Sequence, residues 1–168
     1  MGTFSKALFP GLRLGYMVAA HGLLRPLALA RLAASFQPSL VDQLALAALL
    51  AGDTLERHVR RVRKRYAERA RAMAGALARS MPAGTSFQTP AGGNAIWVEL
   101  PARVDSAALA AEAAAQGIAY ATGEAFRIAE GPPALFLSFA SAAPDAICAG
   151  VAELAGLVHR QLDKGSRA

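Results

Sequence analysis

A lysine that lies between hydroxyl residues and an arginine is the part of this sequence best suited to carry chemistry. Lys6 follows Thr3 and Ser5, and Arg13 stands seven positions after the lysine. A guanidinium fork and neighbouring hydroxyls bind anions through charge-assisted hydrogen bonds. Apolar neighbours favour the uncharged, nucleophilic form of a lysine amine. The apolar neighbours of Lys6 are Phe4, Leu8 and Phe9. The pattern indicates an anion site beside a reactive amine; the alternative is that Lys6 and Arg13 are ordinary surface charges flanking a loop.

Other residue patterns are less informative about chemistry. The three histidines are His21, His58 and His159. They lie far apart and have no acidic or cysteine partners at ligand spacing, so we expect no metal site. The pair Gly92-Gly93 lacks the Lys-Ser/Thr of a P-loop and the glycine spacing of a dinucleotide fingerprint, so a tight turn is the better interpretation.

Length and composition indicate a soluble globular chain. The 168 residues are 54% hydrophobic and 18% charged. No run of about 18 purely apolar residues occurs, so we expect no membrane span. The length allows one domain with a core, or one lobe and a piece of another. Residues 1–6 lack the charged region, apolar stretch and cleavage site of a signal peptide, so we expect a cytoplasmic location.

The net charge of +6 raises the possibility of a nucleic-acid partner. Much of the excess lies in residues 56–71, where Val59, Val62 and Tyr66 recur at helical spacing. This spacing predicts an amphipathic helix with a basic, solvated face. The segment lacks stacking aromatic residues between its charges, so we expect no direct contact between it and nucleic acid.

The order of predicted elements indicates an α/β or α+β lobe after residue 80. Strands are predicted at residues 12–19, 85–89, 95–100, 118–121 and 135–139. Helices are predicted at residues 23–36, 41–50, 53–79, 106–116 and 144–162. Only one clear strand precedes residue 80, and a single strand cannot form a sheet. The sequence therefore predicts that this strand has a partner outside the segment.

The segment from Gly2 to Tyr16 closely resembles the Schiff-base segment of fold-type I aminotransferases, which use pyridoxal 5′-phosphate (PLP). In its form Thr-Phe-Ser-Lys-Ala-Leu-Phe-Pro-Gly-Leu-Arg-Leu-Gly-Tyr it is most similar to the aminotransferase-like domain of MocR-type transcriptional regulators of the GntR superfamily. Later segments agree in order and spacing. Residues 56–63 resemble the helix that links the two lobes, residues 90–98 the first strand region of the small domain, and residues 117–126 the next loop.

This resemblance implies an α/β fold, the C-terminal portion of the fold-type I PLP-dependent transferase fold. Residues 1–52 would be a remnant of the large PLP-binding domain, and residues 53–79 the long interdomain helix. Residues 80–163 would be the small C-terminal α/β domain, followed by a tail at residues 164–168.

The resemblance also implies roles for the lysine segment. Lys6 would form the Schiff base with PLP and, in a catalytic member, would move the proton between the substrate Cα and the cofactor C4′. Arg13 would bind the PLP phosphate, helped by Thr3 and Ser5. Tyr16 is expected to be a core residue.

One departure from the family pattern concerns the substrate. The family's closing strand usually reads Leu-Arg-Leu-Ser-Phe-Ala, with an arginine that pairs with the substrate α-carboxylate, whereas residues 135–140 place Phe136 at that position. A phenyl ring offers no ionic hydrogen bond, and such a bond is worth roughly 1.5–3 kcal/mol. Arg127 is a possible substitute, although it belongs to a different loop. The departure argues against ordinary amino-acid transamination.

A second departure is length, since most of the family's large domain and the winged helix-turn-helix domain of a MocR regulator precede the lysine segment. We therefore expect a fragment with no turnover on its own. The leading hypothesis is the effector-sensing, PLP-binding domain of a MocR-type regulator. Its partners would be an amino acid or PLP-type effector and a second subunit of a full-length homodimer, with DNA bound only through the upstream domain. The alternatives are a fragment of a class I/II aminotransferase, or a structural domain without cofactor.

Overall fold

The computed structural model describes residues 1–129 and 131–164, and it divides into two compact units. These units are Met1–Val62 and Arg63–Ala168. The strands are β1 (Gly2–Thr3), β2 (Gly15–Tyr16), β3 (Ser86–Phe87), β4 (Ala95–Glu99), β5 (Ala121–Thr122) and β6 (Ala134–Ser138). The helices are α1 (His21–Ser35), α2 (Leu40–Leu50), α3 (Thr54–Ser80), α4 (Ser106–Ala115) and α5 (Pro144–Lys164). Short 3-10 turns lie at Pro10–Leu12 and Gly123–Phe126.

In the first unit, β1 and β2 form an antiparallel ladder. Gly2 pairs with Tyr16, and Thr3 pairs with Gly15. A Cβ atom on Gly15 would lie only 2.8 Å from the Gly2 carbonyl oxygen, so the close approach of the two strands requires glycine at position 15. The sequence pattern did not predict β1, because two residues carry no recognisable alternation.

The strand predicted at residues 12–19 is largely wrong. Leu12 ends the 3-10 turn and Arg13 takes a left-handed backbone conformation, so extended pairing is limited to β2. Leu12 and Leu14 are buried, whereas Met17 and Val18 are exposed. Tyr16, expected in the core, is also exposed and contacts Phe4 with a ring-centroid separation of 5.6 Å.

Helices α1 and α2 have no buried residue in the described unit. Many of their large apolar side chains are exposed, among them Leu23, Leu24, Leu29, Leu32, Phe36, Leu40, Val41, Leu44 and Leu50. Soluble proteins rarely leave apolar patches of this extent uncovered. The exposed apolar surface of α1 and α2 is therefore suited to contact with another polypeptide segment.

The second unit is built on a four-stranded antiparallel sheet with the order β3-β4-β6-β5. One face of β4 and β6 is buried, through Ile96, Val98, Leu135 and Leu137. This face packs with residues of α3, α4 and α5, which include Met73, Leu77, Leu109, Val151, Leu154 and Val158. Because side chains alternate along a strand, Trp97 and Phe136 lie on the opposite face as cross-strand partners.

The five helices agree with their predicted ranges to within two residues at each end. Local signals explain this, since the Asp105 carboxylate accepts hydrogen bonds from the Ala107 and Ala108 amides at 2.9 and 3.0 Å and caps α4. The strand predicted at 118–121 begins later, because the Ile118 amide donates to the Ala113 carbonyl and Gly117 takes a φ of +76°. Ile118 therefore completes the helix end instead of pairing in the sheet.

Within residues 1–129 and 131–164, no helix combines the length and the apolarity that crossing a membrane requires. The predicted tail at 164–168 lies, after Lys164, outside the described residues.

We predict that amide hydrogens of residues 1–20 exchange quickly in a monomeric sample, while those of β4 and β6 exchange slowly. The first ladder has two residues in each strand and little burial, whereas β4 and β6 carry fully buried side chains. Hydrogen exchange followed by mass spectrometry measures both. Strong protection of residues 1–20 as well as of β4 and β6 in a proven monomer would contradict this prediction.

Candidate cofactor site

The lysine segment forms the connection between β1 and β2. The Phe4 amide donates to the Leu14 carbonyl oxygen at 3.0 Å and extends the ladder by one pair. The next residues along the two strands are Ser5 and Arg13, so the ladder brings their backbones to the same end of the hairpin. Ser5 and Arg13, eight positions apart in the sequence, are thus carried by the same end of the hairpin.

Thr3 holds this connection through its side chain. Its hydroxyl donates to the Leu14 carbonyl oxygen at 3.3 Å and accepts from the Ser5 amide at 3.2 Å. A hydroxyl has one proton, so this geometry leaves Thr3 no donor for an anion. The Ser5 hydroxyl makes no hydrogen bond to any described residue. The Ser5 hydroxyl therefore keeps a proton to donate, while the Thr3 hydroxyl shapes the loop.

Lys6 lies at the centre of a tight turn. The Leu8 amide donates to the Phe4 carbonyl oxygen at 2.8 Å and closes the turn around residues 5–7. The Lys6 side chain is exposed in this unit, and Phe4 and Leu8 are only half-buried. The apolar neighbours do not by themselves remove the amine from water, which differs from the environment that the sequence suggested.

Arg13 adopts a backbone conformation that few residues other than glycine adopt. Its φ and ψ are 48° and 28°, and its amide donates to the Pro10 carbonyl oxygen at 3.3 Å. The flanking Leu12 and Leu14 are buried, while the Arg13 side chain is exposed. A left-handed residue with a Cβ costs about 1 kcal/mol or more, and such strain is concentrated at ligand sites. The geometry presents a guanidinium outward from a backbone fixed by its neighbours.

The charge around this hairpin suits an anion. Residues 1–41 contain Lys6, Arg13, Arg25 and Arg31 and no aspartate or glutamate, the first acidic residue being Asp42. An exposed amine, an exposed guanidinium and a spare hydroxyl therefore share a segment without a competing carboxylate. These residues fit a group that carries both a carbonyl and a phosphate.

An open apolar depression of about 680 Å³ lies beside the same ladder. Its lining includes Thr3, Tyr16, Leu24, Leu27 and Arg31. Neither Lys6 nor Arg13 lines it, so the depression is separate from the amine and the guanidinium. It belongs with the exposed apolar surface of α1.

In the second unit, Phe136 lies among aromatic rings. Its ring centroid is 5.0 Å from that of Phe126, and its cross-strand partners are Trp97 and Ala121. The loop that carries Arg127 folds back over this strand face, with the guanidinium carbon 5.4 Å from the centroid of the Trp97 ring. Sequence patterns do not indicate this contact, because 30 positions separate the two residues.

Two ionisable groups near this loop have shifted pKa values. The Ser106 hydroxyl donates to the Glu124 carboxylate at 2.7 Å, and this hydrogen bond is the largest cause that lowers the pKa of Glu124. Burial, together with the Glu124 charge, raises the pKa of Tyr120 to about 12. Glu124, on the loop after β5, is therefore stable as an anion, and Tyr120, just before β5, keeps a neutral phenol.

Comparison with known proteins identifies the family. The model of the family "Aminotransferase class I and II" matches residues 1–150. The 2-aminoadipate transaminase of Thermus thermophilus is 34% identical over 92% of this chain and 39% of its own length. The HTH-type transcriptional regulator TauR of Rhodobacter capsulatus is 32% identical over 92% of this chain and 32% of its own length.

Solved structures agree with the sequence comparisons. The kynurenine aminotransferase of Pyrococcus horikoshii, solved in complex with PMP, aligns with a TM-score of 0.88 and 35% identity over 95% of this chain and 40% of that chain. The chain thus spans between about a third and two fifths of the length of these relatives. It belongs to the class I and II aminotransferase family and has the α/β fold of the C-terminal portion of a fold-type I PLP-dependent transferase.

Proposed function

We propose that this chain is the PLP-binding, aminotransferase-like domain of a MocR-type transcriptional regulator, and that it senses an amino acid or a PLP-type effector. The observation that supports the proposal is a short hairpin that carries Lys6, Ser5 and Arg13 in a segment free of acidic residues. The likeness to TauR over nearly the whole chain supports the regulatory context.

In this proposal each residue of the hairpin has one task. Lys6 would hold the carbonyl group of the cofactor through its Nζ atom, and the Arg13 guanidinium would hold the phosphate. Ser5 donates a further hydrogen bond to the phosphate, while Thr3 keeps the loop in place. When bound, PLP supplies an electron sink for the bonds at the ligand Cα.

The aromatic surroundings of position 136 favour sensing over turnover. Phe136 is half-buried against Phe126, and it offers no charge to a ligand carboxylate. A ligand that loses an ionic hydrogen bond binds about 1.5–3 kcal/mol more weakly. Weak and reversible binding suits an effector whose concentration changes, whereas efficient transamination needs the ligand held in one orientation.

A second candidate is part of an aminotransferase. The observation that favours it is the identity of 34–35% to the Thermus transaminase and the Pyrococcus kynurenine aminotransferase. Position 136 discriminates between the two functions. Turnover of amino acids requires another cation in place of the arginine that the family pattern has at this position. A cytoplasmic location and a homodimer are also part of the proposal, as is DNA binding through a helix-turn-helix region outside these residues.

Borohydride reduction of the PLP-loaded protein should place a pyridoxyl group on Lys6. The chain has three lysines, Lys6, Lys64 and Lys164, so peptide mapping by mass spectrometry gives an unambiguous result. Lys6→Ala should abolish the modification, while Lys64→Ala, on the basic helix α3, should leave it unchanged. Labelling of Lys64 or Lys164 in the wild type would show the assignment to be wrong.

Replacement of Arg13 should affect the stability of the protein and its binding of PLP differently. Arg13→Gly relieves the left-handed backbone, so the free energy of unfolding should stay within about 1 kcal/mol of the wild type. The same change should weaken PLP binding about tenfold or more, and Arg13→Lys should give an intermediate loss. Absorbance titration and urea unfolding measure the two quantities. Arg31→Gln is the control for charge, and undiminished PLP binding by Arg13→Gly would rule out a phosphate-binding role.

Phe136→Arg should tighten the binding of amino acids to the PLP-loaded protein by about tenfold to a hundredfold. The physical reason is that the new guanidinium supplies the ionic hydrogen bond that the phenyl ring lacks. The absorbance change of the bound cofactor on titration with amino acids measures the affinity. Ile128→Arg adds the same charge at an exposed position nearby and should have no such effect. Equal affinities in the two variants would remove position 136 from the ligand site.

A further inference from the structure

The described part of the loop between β5 and β6, residues 123–129 and 131–133, holds a charged side chain largely out of water and exposes the apolar neighbours of that side chain. Phe126 is 55% exposed and Ile128 is fully exposed. The Arg127 side chain between them is only 19% exposed. An arginine on a surface loop normally extends into water, so this one is held in place by contacts.

Three contacts of Arg127 connect the loop to itself and to the sheet. The guanidinium carbon lies 5.4 Å from the centroid of the Trp97 ring on β4, a cation–π arrangement. Its Nη2 atom is 4.0 Å from the Glu99 Oε1 atom, also on β4. Its Nη1 atom donates to the carbonyl oxygen of Pro132, at the far end of the loop. One side chain therefore joins the middle of the loop to its far end and to strand β4.

The loop also fits tightly at two glycines. A Cβ atom on Gly123 would lie 2.7 Å from the Ala134 Cβ atom and 3.2 Å from the Trp97 ring. A Cβ atom on Gly131 would lie 2.6 Å from the Arg127 Nη1 atom. Non-bonded carbon atoms approach only to about 3.5 Å, so position 123 has no room for a side chain. A side chain at position 131 would displace the Arg127 guanidinium.

The seated loop covers an aromatic face of the sheet. The Phe126 ring lies edge-on to Trp97 at 6.1 Å and against Phe136 at 5.0 Å. The buried side chains of β4 and β6 point to the other face, where the helices pack. Release of the loop would therefore uncover Trp97 and Phe136 without disturbing the core.

We propose that Arg127 is a latch that holds the loop between β5 and β6 closed over Trp97, and that its release opens the aromatic face of the sheet reversibly. A cation–π contact, a loose ion pair and a single backbone hydrogen bond are each weak at a partly exposed site. Together they keep the loop seated, and water can replace them one by one. This property belongs to the second unit alone and does not depend on the proposed cofactor.

Trp97 is the only tryptophan of the chain, so its fluorescence reports on the latch. In Arg127→Ala, acrylamide quenching of Trp97 should rise about twofold, and the amides of the loop should exchange faster. Arg127→Lys, which keeps the charge and loses the planar fork, should show a smaller rise in quenching. Exchange of the β4 and β6 amides should remain that of the wild type in both variants.

Gly131→Ala provides an independent test, because its new Cβ atom displaces the guanidinium and leaves Arg127 in the chain. It should increase quenching as Arg127→Ala does. Arg103→Ala, which removes an exposed arginine from another loop of the same unit, is the matched control and should behave as the wild type. Wild-type quenching in both Gly131→Ala and Arg127→Ala would overturn the proposal, and so would loss of protection in β4 and β6, which would mean that Arg127 supports the core.

Discussion

The antiparallel pairing of β4 with β6 is the constraint on which the second unit depends. The register places Ile96 opposite Leu137 and Val98 opposite Leu135, so four apolar side chains face the helices together. A slip of β6 by one residue would turn Leu135 and Leu137 toward water and bring Phe136 into the core. The same pairing therefore fixes the core and the aromatic face at once, and the loop that carries Arg127 closes on a surface that the core has already determined.

The first unit depends on a smaller constraint, the hydrogen bonds that join Thr3 and Phe4 to Leu14. Because these bonds hold the hairpin, Leu12 and Leu14 point inward and Arg13 must point outward. The left-handed backbone of Arg13 follows from this local geometry and not from packing of its side chain. The strain at Arg13 is thus the cost of presenting a guanidinium at the end of a short ladder.

The sequence predicted the helices well and the short strands poorly, for physical reasons. Helices α3 and α5 carry long apolar periodicities, and Asp105 provides a local cap to α4. The family resemblance over the lysine segment predicted the fold, which the structural comparisons confirm. Ladders of two residues have no periodicity to detect, so β1 was missed and the strand at 12–19 was overextended. The roles of Lys6 and Arg13 stay predictions, and the exposure of Lys6 could not be deduced from its apolar neighbours.

The replacement of the family arginine by Phe136 is consistent with the charges around it. Glu99 is the acidic residue on this face of β4, and it already accepts hydrogen bonds from Ser86 at 3.4 Å and Trp97 at 3.5 Å. It also pairs with Arg127 at 4.0 Å. An arginine at position 136 would lie opposite Trp97 and would repel the guanidinium that rests on that ring. In the described part of this chain, the positive charge near this face belongs to Arg127 on the loop, and the strand position 136 is apolar.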